Sequence, residues 1–473
     1  MLRAVQLIHR YLGIAGCVLM LLWCASGFVM MYVAYPSVSE DRRLSGLQAL
    51  DLSAARVDLI PPVGASTGPF SIERLDGQPI LRATDQRAVS VISLTTGQPM
   101  TSVSAARASR VAREFLGASG RTAPELLGVV TRDQWTVSGQ FNGERPFYVF
   151  DLGDAQRTRV YVSSVTGRVV QAVSRSQRFW NWLGAIPHWL YLVELRQRPT
   201  LWRQVVIAAG LVGCFLTASG LYLGVQRLPW RGSGSSLGGN SLLRWHHASG
   251  FFFGTFALTW ALSGLLSVQP WGFLESRGSL SPATLAVQPT AAQLVTALRS
   301  FAPLDGSFAP LDGSFVSLRS APLGSDLFFI ASTRSGRRER FDRAGRRAPL
   351  AAADVAALGV RLGSHEPVIR LDREDDYLFS HHDEHVTLPA YRISLPDGSD
   401  LYLDATTGFA EGRFDANARV QRWLDGMHRF DLLPVLRVRP LWDVLVLCAL
   451  AGVSVISFTG ARLAYRRLFV GDT

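Results

Sequence analysis

The chain has 473 residues, 48% of them hydrophobic, and its net charge of +11 comes entirely from arginine, since there is no lysine. Acidic residues are interspersed through both long polar stretches, so the charge reads as a bias of base composition rather than a nucleic-acid-binding surface, and nucleic acid is excluded as a partner. Cys17, Cys24, Cys214 and Cys448 all fall in apolar stretches, which leaves no disulfide to staple the polar ones and makes all four small buried hydrophobes.

Apolar residues are concentrated in four blocks, Leu12 to Tyr35, Arg203 to Gly224, Gly250 to Val268 and Trp442 to Ala464. Each approaches or exceeds the roughly 20 residues that cross a hydrocarbon core as a helix. The first block outruns the roughly 7–15 residues of a signal-peptide core, so it is expected to stay as a membrane helix. In chain order the sequence predicts transmembrane helix 1 over 1–36, a polar domain over 37–178, and an interfacial segment with helix 2 over 179–228. A Gly/Ser-rich loop follows over 229–241, then helix 3 over 242–269, a second polar domain over 270–420, and an interfacial segment with helix 4 over 421–473.

Arginines close to the span ends set the orientation. Arg3 and Arg10 precede the first span, Arg227, Arg231 and Arg244 fill the middle loop, and Arg462, Arg466 and Arg467 follow the last. Both termini are therefore expected in the cytoplasm and both polar domains outside, as in a multi-pass protein of the bacterial inner membrane, in contact with its lipids.

The polar stretches carry alternating strands such as "RPFYVFDLG", "TRVYVSSVTG", "LPAYRISLPDG" and "DLYLDATTG", with helical patterns in "SAARASRVAREFLG" and "AAADVAALGVRLG". These predict small α+β modules. A perfect tandem, "FAPLDGSFAPLDGS" from Phe301 to Ser314, reads as a recent local duplication in a loop or hairpin.

The chain repeats itself. His9, Gly13, Trp23, Ser26 and Gly27 recur at identical spacing as His246, Gly250, Trp260, Ser263 and Gly264. "NWLGAIPHWLYLVELRQRPTLW" and "RWLDGMHRFDLLPVLRVRPLW" pair Trp182 with Trp423, His188 with His428 and Pro199 with Pro440, give or take a residue. The unit of span, exported domain and span occurs twice. The fold class expected is a four-helix transmembrane bundle with a two-fold internal repeat and two exported α+β domains.

Threading puts His9 and His246 near the cytoplasmic face and His188 and His428 near the outer face, one of each per half. Two imidazoles facing across a bundle are what a low-spin haem needs at its axial positions. Glycine at Gly13 and Gly250, one turn deeper on the same helix face, clears room for a macrocycle. Arg10, Arg244 and Arg429 stand beside the histidines as partners for propionates. A single interfacial histidine is more often a polar anchor, and glycine is common wherever membrane helices pack closely; the repeated register is what favours ligation. A slip of one residue would exchange His246 for His247.

"IHRYLGIAG", "RWHHASGFFFGTFALTWALSG" and "RPLWDVLVLCALAGVSVISFTG" resemble the helices of the PepSY-associated transmembrane proteins, and "YLDATTGFAEG" and "VYVSSVTGRVV" resemble PepSY strand endings. The resemblance covers nearly the whole chain. It implies PepSY-like exported domains and, by similarity to inner-membrane siderophore reductases of that family, two b-type haems with bis-histidine ligation.

With both axial positions filled, outer-sphere electron transfer is favoured over oxygen chemistry. A cytoplasm-negative potential pushes electrons outward, by about 2.3 kcal/mol per charge per 100 mV. The acceptor expected is periplasmic, a ferric siderophore or other ferric chelate, which makes the protein a ferric-chelate reductase. No nicotinamide or flavin fingerprint occurs in the short loops, so the donor is a separate molecule, a quinol or a cytoplasmic reductase. The alternative is a non-enzymatic PepSY-domain binding or regulatory protein of the envelope; transport is disfavoured, since no span carries a charge at mid-depth. The cluster "DREDDYLFSHHDEHV", with His381, His382 and His385, reads first as a solvated loop or strand edge and second as an iron or acceptor site. On a strand, His381 and His382 would point to opposite faces and would not chelate together.

Overall fold

The computed structural model describes residues 2–56, 69–84, 89–117, 123–226, 241–276, 298, 314–324, 326–375, 377–378, 380–382 and 386–470. The loop with Arg227 and Arg231, residues 301–313 of the tandem, and His385 lie outside them. In chain order the helices are α1 (Leu2–Met30), α2 (Glu40–Ser45), α3 (Ala105–Leu116), α4 (Arg175–Leu183), α5 (Ala185–His188), α6 (Val193–Arg196), α7 (Pro199–Gln226) and α8 (Ser241–Ser267). α9 (Ala352–Arg361), α10 (Ala416–Arg429) and α11 (Leu441–Tyr465) follow.

Four of these, α1, α7, α8 and α11, are long and apolar enough to cross a membrane, and the chain is a membrane protein. α1 and α8 each pack against both α7 and α11, which closes a ring of four. The helices are longer than their apolar blocks. α1 begins at Leu2 and α8 at Ser241, so His9, Arg10 and Arg244 lie inside helices rather than ahead of them. "VQLIHRYL" contains no breaker, and arginine keeps its head in water while its stem lies along an apolar helix. Close approach is set by glycine: a Cβ at Gly452 on α11 would fall 2.2 Å from the Phe253 ring of α8.

The strands are β1 (Phe70–Leu75), β2 (Gln78–Thr84), β3 (Val89–Ser93), β4 (Glu125–Val130), β5 (Phe147–Asp151), β6 (Arg159–Ser163) and β7 (Val169–Val173). The second polar stretch supplies β8 (Phe315–Ser320), β9 (Phe328–Thr333), β10 (Arg338–Asp342), β11 (Ile369–Leu371), β12 (Ala390–Ser394), β13 (Asp400–Asp404) and β14 (Ala410–Phe414). β4 to β7 form one four-stranded sheet with α3 against it, and β11 to β14 form another with α9 against it. The predicted strands and helices of these modules are all present.

Their organisation differs from two separate domains. β1 to β3 and β8 to β10 make one antiparallel sheet of order β10-β9-β8-β1-β2-β3, in which Ile72 of β1 faces Leu318 of β8. A three-stranded sheet ends in unpaired backbone at its edge; joining two removes one such edge from each. One core runs beneath the joint, with Phe70, Ile72 and Leu81 of the first stretch against Phe315, Phe329 and Phe341 of the second.

This joint sheet is tied to its neighbours by a buried charge cluster. Glu73 on β1, 2% exposed, pairs with Arg43 of α2 at 2.8 Å and with Arg82 of β2 at 2.6 Å. Arg82 also donates to the Thr166 carbonyl in the β6–β7 turn at 3.0 Å. Burial alone would raise the Glu73 pKa; Arg43 and Arg82 outweigh it and hold the carboxyl at about 2, against 4.5 for a free glutamate. A depressed carboxyl contributes stability in full above about 4.5 and loses it as pH falls toward 2. Glu73→Ala is expected to cost about 3–5 kcal/mol, because it leaves the buried Arg82 without its carboxylate, while Arg43 keeps Glu40. Acid titration of the thermal midpoint checks it: the variant should melt lower at neutral pH and show a flatter decline between pH 4.5 and 2.

Candidate functional site

The two predicted pairs of histidines come together. At the end of the bundle that carries the chain termini, the rings of His9 and His246 have centroids 6.3 Å apart. At the end that carries the sheets, His188 and His428 have centroids 6.2 Å apart. Along α1 the two levels are set by His9 and Ser26, 17 positions apart, which at about 1.5 Å per residue is about 25 Å.

Each ring is held by the same device. Ser26 donates its hydroxyl to the Trp23 carbonyl at 3.0 Å, one turn back on its own helix, so its oxygen accepts from His188 Nδ1 at 3.0 Å. Ser263 donates to the Thr259 carbonyl at 2.6 Å and accepts from His428 Nδ1 at 2.9 Å. Thr459 donates to the Val455 carbonyl at 2.6 Å and accepts from His246 Nδ1 at 3.0 Å. Ser219 donates to the Leu216 carbonyl at 3.0 Å and accepts from His9 Nδ1 at 3.1 Å, and the Leu216 carbonyl lies 3.1 Å from the same nitrogen. With each hydroxyl proton given to its helix carbonyl, the imidazole proton belongs on Nδ1 and the Nε2 lone pair is left for a ligand.

Tryptophan and glycine complete the cradles. Trp23 Nε1 donates to the His188 carbonyl at 3.0 Å and Trp260 Nε1 to the His428 carbonyl at 2.9 Å. A Cβ at Gly220 would fall 2.8 Å from His9 Cε1, and one at Gly460 3.3 Å from His246 Cε1. The sequence marks Trp23, Ser26, Trp260 and Ser263 through the repeat, but only the fold shows that they grip the outer histidine of their own half. Ser219 and Gly220 on α7 and Thr459 and Gly460 on α11 were not singled out, although "ASG" and "FTG" stand at corresponding places in the two spans.

The paired geometry fits a metal held between two imidazoles. A metal–imidazole bond of about 2.0–2.1 Å on either side, with about 1.1 Å more to each ring centre, puts the centroids about 6.3 Å apart. Among the described residues no group of three or more His, Cys, Asp or Glu is arranged to hold a metal ion, so the arrangement is one of pairs. A cavity of about 550 Å³ surrounds the His9–His246 pair, within the ~300–1,000 Å³ of cofactor sites. Gly13 and Gly250 both line it, and at Gly250 an added Cβ would meet nothing within 4 Å. Space therefore lies one turn from each histidine of this pair. His247 lines the same cavity with its ring centroid 6.3 Å from that of His246, but it is His246 that pairs with His9 and is held by Thr459.

Of the three arginines expected beside the histidines, Arg244 and Arg429 are placed differently. Arg10 lines the cavity, and with it Arg466 and Arg467 from the end of the fourth span. Arg244 is exposed and does not line it, since a residue two positions from His246 faces another side of the helix. Arg429 lies 3.5 Å from Asp431 and 3.9 Å from Asp425, so carboxylates of the chain itself stand against it.

At the sheet end, burial and the neighbouring His428 push the His188 pKa down to about 4, and burial pushes that of His428 down as well. Both are neutral at physiological pH, as a metal ligand must be.

Fold and site together define a membrane protein whose helix bundle holds paired imidazoles at two levels. Residues 6–467 match the model of the PepSY-associated TM region, and the chain belongs to that family. No curated protein matches it.

Removing the Nδ1 partner is expected to weaken ligation at the sheet-end level about 10–100-fold for Ser263→Ala. Ser219→Ala should do less, because His9 keeps the Leu216 carbonyl. Ligand titration into the purified apo-variants measures both. Gly220→Ala should displace the His9 ring and lower occupancy of the terminal-end level alone.

Proposed function

We propose that the protein is a di-haem b-type electron-transfer protein of the bacterial inner membrane that reduces a periplasmic acceptor, most simply a ferric siderophore or related chelate. The observation that carries this reading is the doubled imidazole pair, with ring centroids at 6.3 Å and 6.2 Å and every Nδ1 committed to a hydroxyl. His9 and His246 would hold one haem and His188 and His428 the other. Bound in this way, a haem supplies one-electron transfer with no open coordination position for oxygen.

The surrounding residues have defined tasks. Ser26, Ser219, Ser263 and Thr459 fix the imidazole tautomer and ring orientation. Arg10, Arg466 and Arg467 would receive the carboxylates of the terminal-end group. Arg3, Arg10, Arg462, Arg466 and Arg467 gather at the terminal end, which supports a cytoplasmic location for both termini and a periplasmic one for the sheets. With that orientation the membrane potential favours outward electron flow, and an iron(III) bound by oxygen donors is released on gaining one electron, since iron(II) binds such donors poorly. The donor is a quinol or a cytoplasmic reductase.

Detergent-purified protein should show split, dithionite-sensitive b-type bands. His9→Ala and His188→Ala should each remove one of two haems, counted by pyridine haemochrome. A colourless wild type, or loss of both haems or neither in the single variants, would refute the assignment and leave a binding protein of the envelope.

A further inference from the structure

A second cluster lies at the sheet end, three residues beyond His428. α10 ends in a left-handed residue, Phe430, which turns the chain so that the Asp431 side chain is fully buried. Its Oδ2 accepts from Nδ1 of both His381 and His382, each at 3.0 Å. The two histidines were expected in a solvated loop or at a strand edge, where a strand would turn them to opposite faces. Their segment is a bend outside any strand, and both rings turn to one carboxylate. His381 reaches the other way as well: its Nε2 lies 3.6 Å from Asp425, which is 53% exposed. His382 is 7% exposed and stacks on Trp442 with centroids 3.7 Å apart. Trp442 in turn donates to the carbonyl of Arg429, the residue next to His428, at 2.8 Å. Asp425 and His381 lead from solvent to the buried Asp431, which His382 also contacts.

We propose that His381, Asp431 and His382 form a proton relay that takes up one proton from the periplasmic side for each electron that arrives at the His188–His428 level. The inference rests on the di-haem reading. An electron added to a site of low dielectric is poorly screened, and a nearby group that gains a proton compensates its charge. Two imidazoles on one carboxylate can hold the needed proton; Arg429 stands 3.5 Å from Asp431 Oδ2, and Arg437 Nε donates to the Asp431 carbonyl at 2.9 Å. Glu374 faces Arg437 at 2.9 Å, and Asp443 faces Arg439 at 3.7 Å.

The balance is simple. The electron comes from the donor, the proton from water, and one N–H bond forms on an imidazole nitrogen of His381 or His382. When the electron passes to the ferric chelate, iron(III) becomes iron(II), and the proton leaves to an oxygen donor that the metal has released. One electron and one proton are thus delivered together to an acceptor that needs both.

Spectropotentiometric titration of the full haem-loaded chain between pH 6 and 8 tests this. The His188–His428 centre, assigned by its absence in His188→Ala, should lose potential with rising pH at up to about 59 mV per unit, the value of a tenfold change for a one-electron couple. The slope should at least halve in Asp431→Asn and in His381→Gln, while the His9–His246 centre keeps its wild-type behaviour in both. His381→Gln leaves Asp431 in place and serves if Asp431→Asn does not fold. A flat wild-type slope, or an unchanged slope in both variants, would overturn the relay while leaving the di-haem reading intact; a wild type without haem would overturn both.

Discussion

A hydroxyl that gives its own proton to a helix carbonyl can only accept one from an imidazole, and each of the four histidines has such a hydroxyl at its Nδ1. This constraint turns four ordinary serine and threonine side chains into tautomer locks. A histidine free to choose would divide between two tautomers and several ring angles, and a pair of such rings would seldom present two lone pairs to one point. Here Ser26, Ser219, Ser263 and Thr459 remove that freedom before any ligand arrives. The rest of the bundle serves the same end, with tryptophans holding the backbone of the outer histidines and glycines giving the inner rings room to turn.

Much of this was legible in the sequence because the gene states it twice. A lone His9 carries little information; His9 and His246 with Trp, Ser and Gly at identical distances carry a shared constraint, and the four histidines selected on that ground are the four that pair. The apolar blocks likewise placed all four membrane helices. The parts that stayed hidden depend on contacts between distant segments. Nothing local marks Ser219 as the partner of His9, because the two lie on different helices about 210 residues apart. The arginines are legible only in part for a related reason: Arg10 lines the cavity, whereas Arg244, close to His246 in sequence, turns away around the helix, and Arg466 and Arg467 reach the cavity from another span. Asp431 could not be read at all, since its significance comes from a bend 50 residues upstream.

The two ends of the bundle are built for different surroundings. The terminal-end pair sits in a roomy cavity with three arginines, while the sheet-end pair is carried by α5 and α10, short elements that cap the spans and connect directly to the sheets. Under the proposed reading, the first end meets a donor and the second an acceptor, and the contact between α10 and the Asp431 cluster gives the second end a chemistry that the first does not share.

The seam between β1 and β8 bears on motion. Membrane proteins made of two similar halves often work by rocking one half against the other, which opens a passage alternately to each side. In this chain the first and second polar stretches are stitched by backbone hydrogen bonds between β1 and β8 and by a common apolar layer. Rocking one stretch against the other would tear that seam, so the joint sheet moves as one piece.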